Sequence, residues 1–283
     1  MKRGFFMYAR TIIYKIYAIA ILALSVLSAL FSVIFVVPAV SLAGTYFPFV
    51  SQITVAIQIV IVLCAIICVF FSYMEFSSMY CFTDMIDYER SDSIYPMSRR
   101  FFVLPAAGYR VFGLIMFIIN LVSNIICALF IIITNSIQAQ CFICLPVIPL
   151  AINIAVCVIY YINYYARYKA IGDLLELVTS MEVNEPIKQK LKENKPGMLR
   201  GYCIFLAAVC VIVAIAVAVA LFFVFEPLSK LIGFSAAIGV TVGIIISTLL
   251  TLLCVGIMGC YVDNIAKMLE HYQIKYHLIE MKK

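Results

Sequence analysis

Apolar residues in this chain run in long unbroken stretches instead of alternating with polar ones or recurring along one helical face. Six stretches are long enough to cross a hydrocarbon core about 30 Å thick at about 1.5 Å per helical residue. They cover residues 16–37, 51–73, 111–134, 146–165, 203–225 and 233–261, and no Asp, Glu, Lys or Arg interrupts them. The pattern predicts an all-α, polytopic membrane protein with six transmembrane helices, forming one integral membrane domain over 1–283. Lys2 and Arg3 before the first stretch, and Ser41-Leu42-Ala43 after it, imitate a secretory signal. At 22 residues the stretch exceeds the about 7–15 of a signal core, so it is expected to remain as a span.

The flanks of the stretches resemble one another. Spans one, three and five open on a cation, a spacer and an aromatic: Lys15-Ile16-Tyr17, Arg110-Val111-Phe112 and Arg200-Gly201-Tyr202. Spans two, four and six are followed by Phe82-Thr83-Asp84-Met85-Ile86-Asp87, Ile171-Gly172-Asp173-Leu174-Leu175-Glu176 and Ile265-Ala266-Lys267-Met268-Leu269-Glu270. The period of about 90 residues predicts three tandem two-helix repeats, about 10–95, 105–185 and 196–283. Each is expected to end in a cytoplasmic amphipathic helix, because the exit motif puts apolar residues at i, i+3 and i+4 and charged ones at i+2 and i+5. Asp84, Asp87, Asp173, Glu176, Lys267 and Glu270 then form a candidate surface for a cytoplasmic protein subunit; the alternative is that these helices lie in the headgroup region or on neighbouring loops. A salt-bridge gate to Lys15, Arg110 or Arg200 is not expected. A straight helix carries Asp84 about 16 Å past the membrane edge where Lys15 sits, so the three bases are read as topology anchors.

Three such hairpins are similar in topology to the mitochondrial carrier family. None of the nine prolines has an acid two residues later, as that family's signature requires, so the likeness stops at topology.

Composition and charge narrow the setting. With 66% hydrophobic and 12% charged residues, against about 25% charged in soluble domains, a water-soluble fold is excluded. Assigning the intervening segments alternately to two sides leaves 19 of the 20 Lys and Arg on the side of both termini, with Lys230 alone opposite. The positive-inside bias therefore predicts a multi-pass cell-membrane protein with cytoplasmic N- and C-termini, whose partner is the lipid bilayer and not nucleic acid. Outer connections of about 13, 11 and 7 residues are too short for a ligand-binding domain, and no phosphate-binding glycine loop is present. Tyr160, Tyr161, Tyr164, Tyr165 and Tyr168 at the end of span four are read as an interfacial belt.

The candidate chemistry is sparse. Eleven cysteines, scattered mostly through the spans, act as small apolar residues, while Cys141-x-x-Cys144 near the second outer turn is either two ordinary thiols or a working pair. His271 and His277 fall on opposite helical faces, and no histidine lies in a span, so no catalytic set, metal site or cofactor is expected and the chain is not read as an enzyme. Uncharged polarity inside the spans remains. Gln58, Asn153 and Thr241 lie about 11 Å from the outer boundary, and Ser28 and Asn124 about 18–20 Å from the inner one, so one layer near mid-depth collects them, with Asn120 on the same face as Asn124. Such a layer is either interhelical glue or a substrate-binding site. The alternating Ala214–Ala220 series, Gly239-x-x-x-Gly243 and Gly256-x-x-Gly259 predict closest packing between spans five and six, and Ser25, Ser28 and Ser32 an inward face of span one. These features suggest a permease or transporter component with a pathway between helices; the alternative is a non-catalytic interaction module acting through its cytoplasmic helices.

Overall fold

The computed structural model describes residues 2–46, 48–91, 104–137, 147–180 and 182–278, all of its regular structure helical. Cys141 and Cys144 lie outside the described residues, as does the side chain of Asp87. The chain forms two compact units, Met1–Leu104 and Pro105–Lys283.

The first unit contains α1 (Lys2–Phe31), a π-helical turn (Ser32–Val36), α2 (Val37–Tyr46) and α3 (Pro48–Ser91). The π turn ends just before Pro38. A proline ring clashes with the carbonyl four residues back, so widening the turn there lets the helix continue past it. α1 and α2 fold back along α3 as an antiparallel hairpin. The outer connection of about 13 residues expected here is instead taken up by α2 and the first turn of α3, which leaves only residue 47 between the helices. Pro48 suits the start of α3, where its missing N–H is not needed.

The second unit contains α4 (Ala106–Ile137), α5 (Val147–Tyr160), a second π-helical turn (Tyr161–Ala166), α6 (Arg167–Thr179), α7 (Glu185–Glu193), α8 (Pro196–Ile232) and α9 (Phe234–Lys275). α5, the π turn and α6 follow one another without a break and run antiparallel to α4. α8 and α9 pack along their lengths as a third hairpin. Its expected seven-residue connection is also helical, and the reversal falls on Gly233 at φ +86°, a conformation that L side chains rarely adopt.

Among the described residues, five helices are long and apolar enough to cross a membrane, lying in α1–α2, α3, α4, α8 and α9, so the chain is built as a membrane protein. α5 has only 14 residues before its π turn. Burial is distributed in reverse of a soluble protein. The apolar middles are almost entirely exposed, with Ile212 at 65% and Leu249 at 61%, whereas the buried residues cluster at the hairpin ends away from the turns. These ends, here called the open ends, carry Tyr14 and Ala18, Met74 to Ile86, Tyr109 to Met116, Arg167 to Leu177, and Tyr261 to Gln273. The middles suit lipid as their solvent, which satisfies apolar surface but no polar backbone, and a helix already bonds its backbone to itself.

The three exit segments are uninterrupted continuations of the second helix of each hairpin. Their apolar faces are buried inside the chain: Phe82, Met85 and Ile86; Ile171, Leu174 and Leu175; Ile265 and Leu269. The acids at i+2 were expected on the opposite face. Asp84 and Asp173 are buried too, because the first helix of the hairpin covers that face and brings a base to it.

Candidate functional site

Each open end carries a base–acid clasp between the two helices of its hairpin. In the first unit Lys15 Nζ lies 3.5 Å from Asp84 Oδ1. In the second, Arg110 Nε donates to Asp173 Oδ1 at 2.6 Å, and the Arg200 guanidinium pairs with Glu270. The expectation that these partners stand too far apart is overturned. It placed the acid along one straight helix from an assumed membrane edge and treated the outer connections as loops. With α2 and the end of α8 helical, the first arm of each hairpin is long enough to set base and acid level across the pair.

The second hairpin is drawn close at two glycines other than those expected. A Cβ on Gly113 would meet Tyr164 O and Tyr168 Cβ at 2.8 Å, and one on Gly172 would meet Ala106 O at 2.8 Å and Arg110 Cγ at 2.9 Å. By contrast, a Cβ on Gly239, Gly243, Gly256 or Gly259 would meet nothing within 4 Å, so the extensive α8–α9 contact does not rest on them. Gly259 still touches α8 through its backbone, its carbonyl accepting from Cys203 Sγ at 3.2 Å. Next to Gly172, Arg110 also bonds to Glu176 and to the Gly172 carbonyl, the latter at 3.4 Å. Glu176 accepts from Lys190 at 2.8 and 3.0 Å, and Asp173 Oδ2 from Asn194 Nδ2 at 2.7 Å. The two carboxyls are pushed apart electrostatically. Burial of Asp173 outweighs the Asn194 bond and the Arg110 charge and holds its carboxyl above the usual range. Burial acts in the same sense on Glu176, but hydrogen bonds from Lys190 and Arg110 overcome it and hold Glu176 below that range. Lys169, although partly desolvated, is held above the usual lysine range by its 2.9 Å bond to Glu193.

α7 is the short helix that carries Lys190. Pro186 sits in its first turn, Glu185 is at its positive end, and Lys190 and Lys192 are at its negative end. Nine residues do not hold a helix in water without tertiary contacts. Ile187 and Leu191 are buried, and Gln273 on α9 donates to Leu191 O at 2.7 Å and Asn194 O at 2.9 Å. Lys192 and Lys195 face outward.

The third clasp is looser. Arg200 and Glu270 side chains are 39% and 36% exposed, against 1% for Asp173 and 3% for Asp84. Lys267 is exposed and pairs with Asp263 one turn back at 2.5 Å. In the first clasp Lys15 also stands 5.3 Å above the Tyr80 ring.

The six mid-depth candidates are divided between the two units, Ser28 and Gln58 in the first and Asn120, Asn124, Asn153 and Thr241 in the second. Asn120 donates to Met116 O, Asn124 to Asn120 O, and Asn153 to Asn124 O, each at 2.8 Å, so these three link α4 to α5. Gln58 serves the first hairpin, donating to Val37 O at 3.1 Å and Ser41 Oγ at 2.6 Å. Ser28 is exposed, its carbonyl accepting from Ser32 Oγ at 2.9 Å, while Ser25 Oγ is buried without a partner among the described residues. The serine face therefore does not turn inward as a whole. Thr241 lines an open cleft of about 530 Å³ near the turn of the third hairpin, with Phe222, Phe225 and Glu226. Its hydroxyl is buried and without a partner among the described residues, whereas Thr248 and Thr251 on the same helix bond back to Ile244 O and Ser247 O.

The tyrosines after α5 are more than a belt. Tyr168 is fully buried, stacked on Tyr109 and edge-on to Phe112, and Tyr161 and Tyr165 flank Phe117. Arg167 is fully buried as well, stacked over Tyr168 at 4.8 Å and donating to Met258 Sδ at 3.0 Å. Sequence reasoning did not reach Arg167, Lys190, Asn194 or Gln273. Their partners lie 14 to 91 residues away on other helices, and no local spacing marks them. Gly172 was legible as part of the exit motif, but not as a point of contact. Among the described residues no group of three or more His, Cys, Asp or Glu is arranged to hold a metal. No protein-family model, no curated protein and no solved structure matches the chain.

Proposed function

We propose that the chain is a permease or transporter component of the cell membrane. It would have six spans arranged as three tandem hairpins, both termini in the cytoplasm, and a solute pathway between helices. The observation that carries this reading is the clasp at each open end: Lys15–Asp84, Arg110–Asp173 and Arg200–Glu270. Contacts deeper in the hairpins are apolar or uncharged, so these ion pairs are the places where helices can be released and rejoined by a change in charge or hydration. The equivalence of the three pairs, about 63 to 70 residues apart in each case, supports the repeat. The unbroken helix from Val147 through the π turn to Thr179 supports a sixth span. Asn120, Asn124 and Asn153 spend amide hydrogens on backbone carbonyls, which leaves their oxygens to line a pathway beside α4.

The purified chain in liposomes is the test, with light-scattering swelling measured for urea, glycerol and a monosaccharide, and flux measured for K⁺ and Cl⁻. Transport requires at least one of these to exceed empty liposomes and to fall when Asn124→Leu or Gln58→Leu is introduced into protein of unchanged helicity. Rates equal to those of empty liposomes for every probe would overturn the reading. A second reading, a non-catalytic module recruiting a cytoplasmic protein, draws on the outward face of α7 with Lys192, Glu193 and Lys195. Of the acids first considered for docking, Asp84, Asp173, Glu176 and Glu270 are engaged within the chain.

A further inference from the structure

We infer that the clasps of the second and third hairpins are one coupled device, joined through Asn194, so that loosening either loosens the other. The coupling goes beyond the transport reading and holds whatever the chain conducts.

Asn194 ends α7 and stands two residues ahead of α8. It is buried, and it faces two ways. Its side-chain nitrogen donates to Asp173 Oδ2 at 2.7 Å and to Lys190 O at 3.0 Å, while its carbonyl accepts from Gln273 Nε2 at 2.9 Å. Asp173 gives its other oxygen to Arg110, so one carboxylate is shared by the clasp of the second hairpin and the residue that touches the third. Gln273 lies three residues beyond Glu270 on α9, on the same helical face, and Glu270 holds Arg200. Arg200 is six residues after Asn194, on the first turns of α8. The circuit therefore closes: Arg110, Asp173, Asn194, Gln273, Glu270, Arg200 and back along the chain to Asn194. Glu176 and Lys190 add a second strap from the same arginine to α7.

This arrangement has two low-energy states and few between. If α6 moves away from α4, Asp173 either drags Asn194 and the end of α9 with it or gives up Asn194 as well as Arg110, leaving a buried carboxylate without these partners and the Asn194 amide with the Lys190 carbonyl alone. Leaving buried polar groups unsatisfied is far more costly than exchanging them together. Reciprocity follows, since a coupling between two sites acts equally in both directions.

Hydrogen–deuterium exchange of the full chain in nanodiscs tests it. Arg200→Gln is expected to raise exchange about threefold to fivefold in residues 167–179 of α6 as well as at its own site, and Arg110→Gln to do the same in residues 265–275 of α9. In an Asn194→Ala, Gln273→Leu background each local effect should remain and each distant one vanish. Exchange in the apolar middles of α8 and α9 should stay at its unmutated value, which separates loosening from unfolding. Arg200→Lys provides a milder perturbation if Arg200→Gln does not fold. The inference is overturned if Arg200→Gln and Arg200→Lys leave residues 167–179 within twofold of the unmutated chain, or if the distant effect survives the double background.

Discussion

The clasp of the second hairpin and that of the third use the same chemistry at matching places, and their surroundings make them different devices. Arg110 and Asp173 are held by Glu176, Lys190 and Asn194 and pressed together by Gly172, with the acid almost fully buried. Arg200 and Glu270 stand more than a third exposed, beside a surface pair of Lys267 and Asp263. A buried, fully bonded ion pair is costly to break from one side, whereas an exposed one contributes little and is screened by salt. One clasp is therefore a lock and the other a latch.

The largest effect should come from removing the buried acid. Asp173→Leu takes from Arg110 its buried partner, leaving it Glu176 and the Gly172 carbonyl, and from the Asn194 amide one of its two acceptors, and should destabilise the chain by about 3 kcal/mol in thermal unfolding, against at most about 1 kcal/mol for Glu270→Leu. Equal losses would break the distinction. Next in size, Gly172→Ala places a Cβ against the Ala106 carbonyl and should cost about 1–3 kcal/mol, while Gly259→Ala, with open space around it, should stay within about 0.5 kcal/mol.

Smaller still, a double-mutant cycle on Arg200 and Glu270 should give a coupling of about 0.2–1 kcal/mol that shrinks between about 0.1 and 1 M salt. The cycle on Arg110 and Asp173 should be insensitive to the same change. Acid provides the finest comparison. Glu176, held below its ordinary value of 4.5, contributes stability that is present above that value and lost as pH falls through its lower folded one. Asp173, held above its ordinary 3.8, has the opposite sign, so the fold gains as pH falls through its raised value toward 3.8. As the pH falls, the gain from Asp173 is therefore complete by 3.8 while the loss from Glu176 sets in only below 4.5, and Asp173→Asn should remove the gain from the unfolding midpoints and leave the loss.

The sequence made the helices and their membrane setting legible because a hydrophobic run reports its solvent directly. Its flanking motifs also named Lys15, Arg110, Arg200, Asp84, Asp173 and Glu270, the residues of the clasps. It did not show that they meet. That depended on whether residues 38–50 and 226–232 were loop or helix, and apolar residues beside Pro38 and Pro227 point to either. The π turn ahead of Pro38 is what lets the helix absorb the first of these, and nothing in residues 32–36 alone announces it. Asn194 and Gln273 stayed hidden for a different reason. A buried amide gets its meaning from partners on other helices, and its own neighbourhood in the chain is that of any polar loop.

The turn at Gly233 bears on how such a chain is made. Near that reversal the third hairpin carries two charged residues, Glu226 and Lys230, and they are already paired with each other at 2.7 Å. A translocating hairpin with its charges neutralised as a pair, and a single glycine at its tip, presents little that must be dragged through hydrocarbon. With the orientation proposed above, α8 and α9 would enter the bilayer together, as one insertion event.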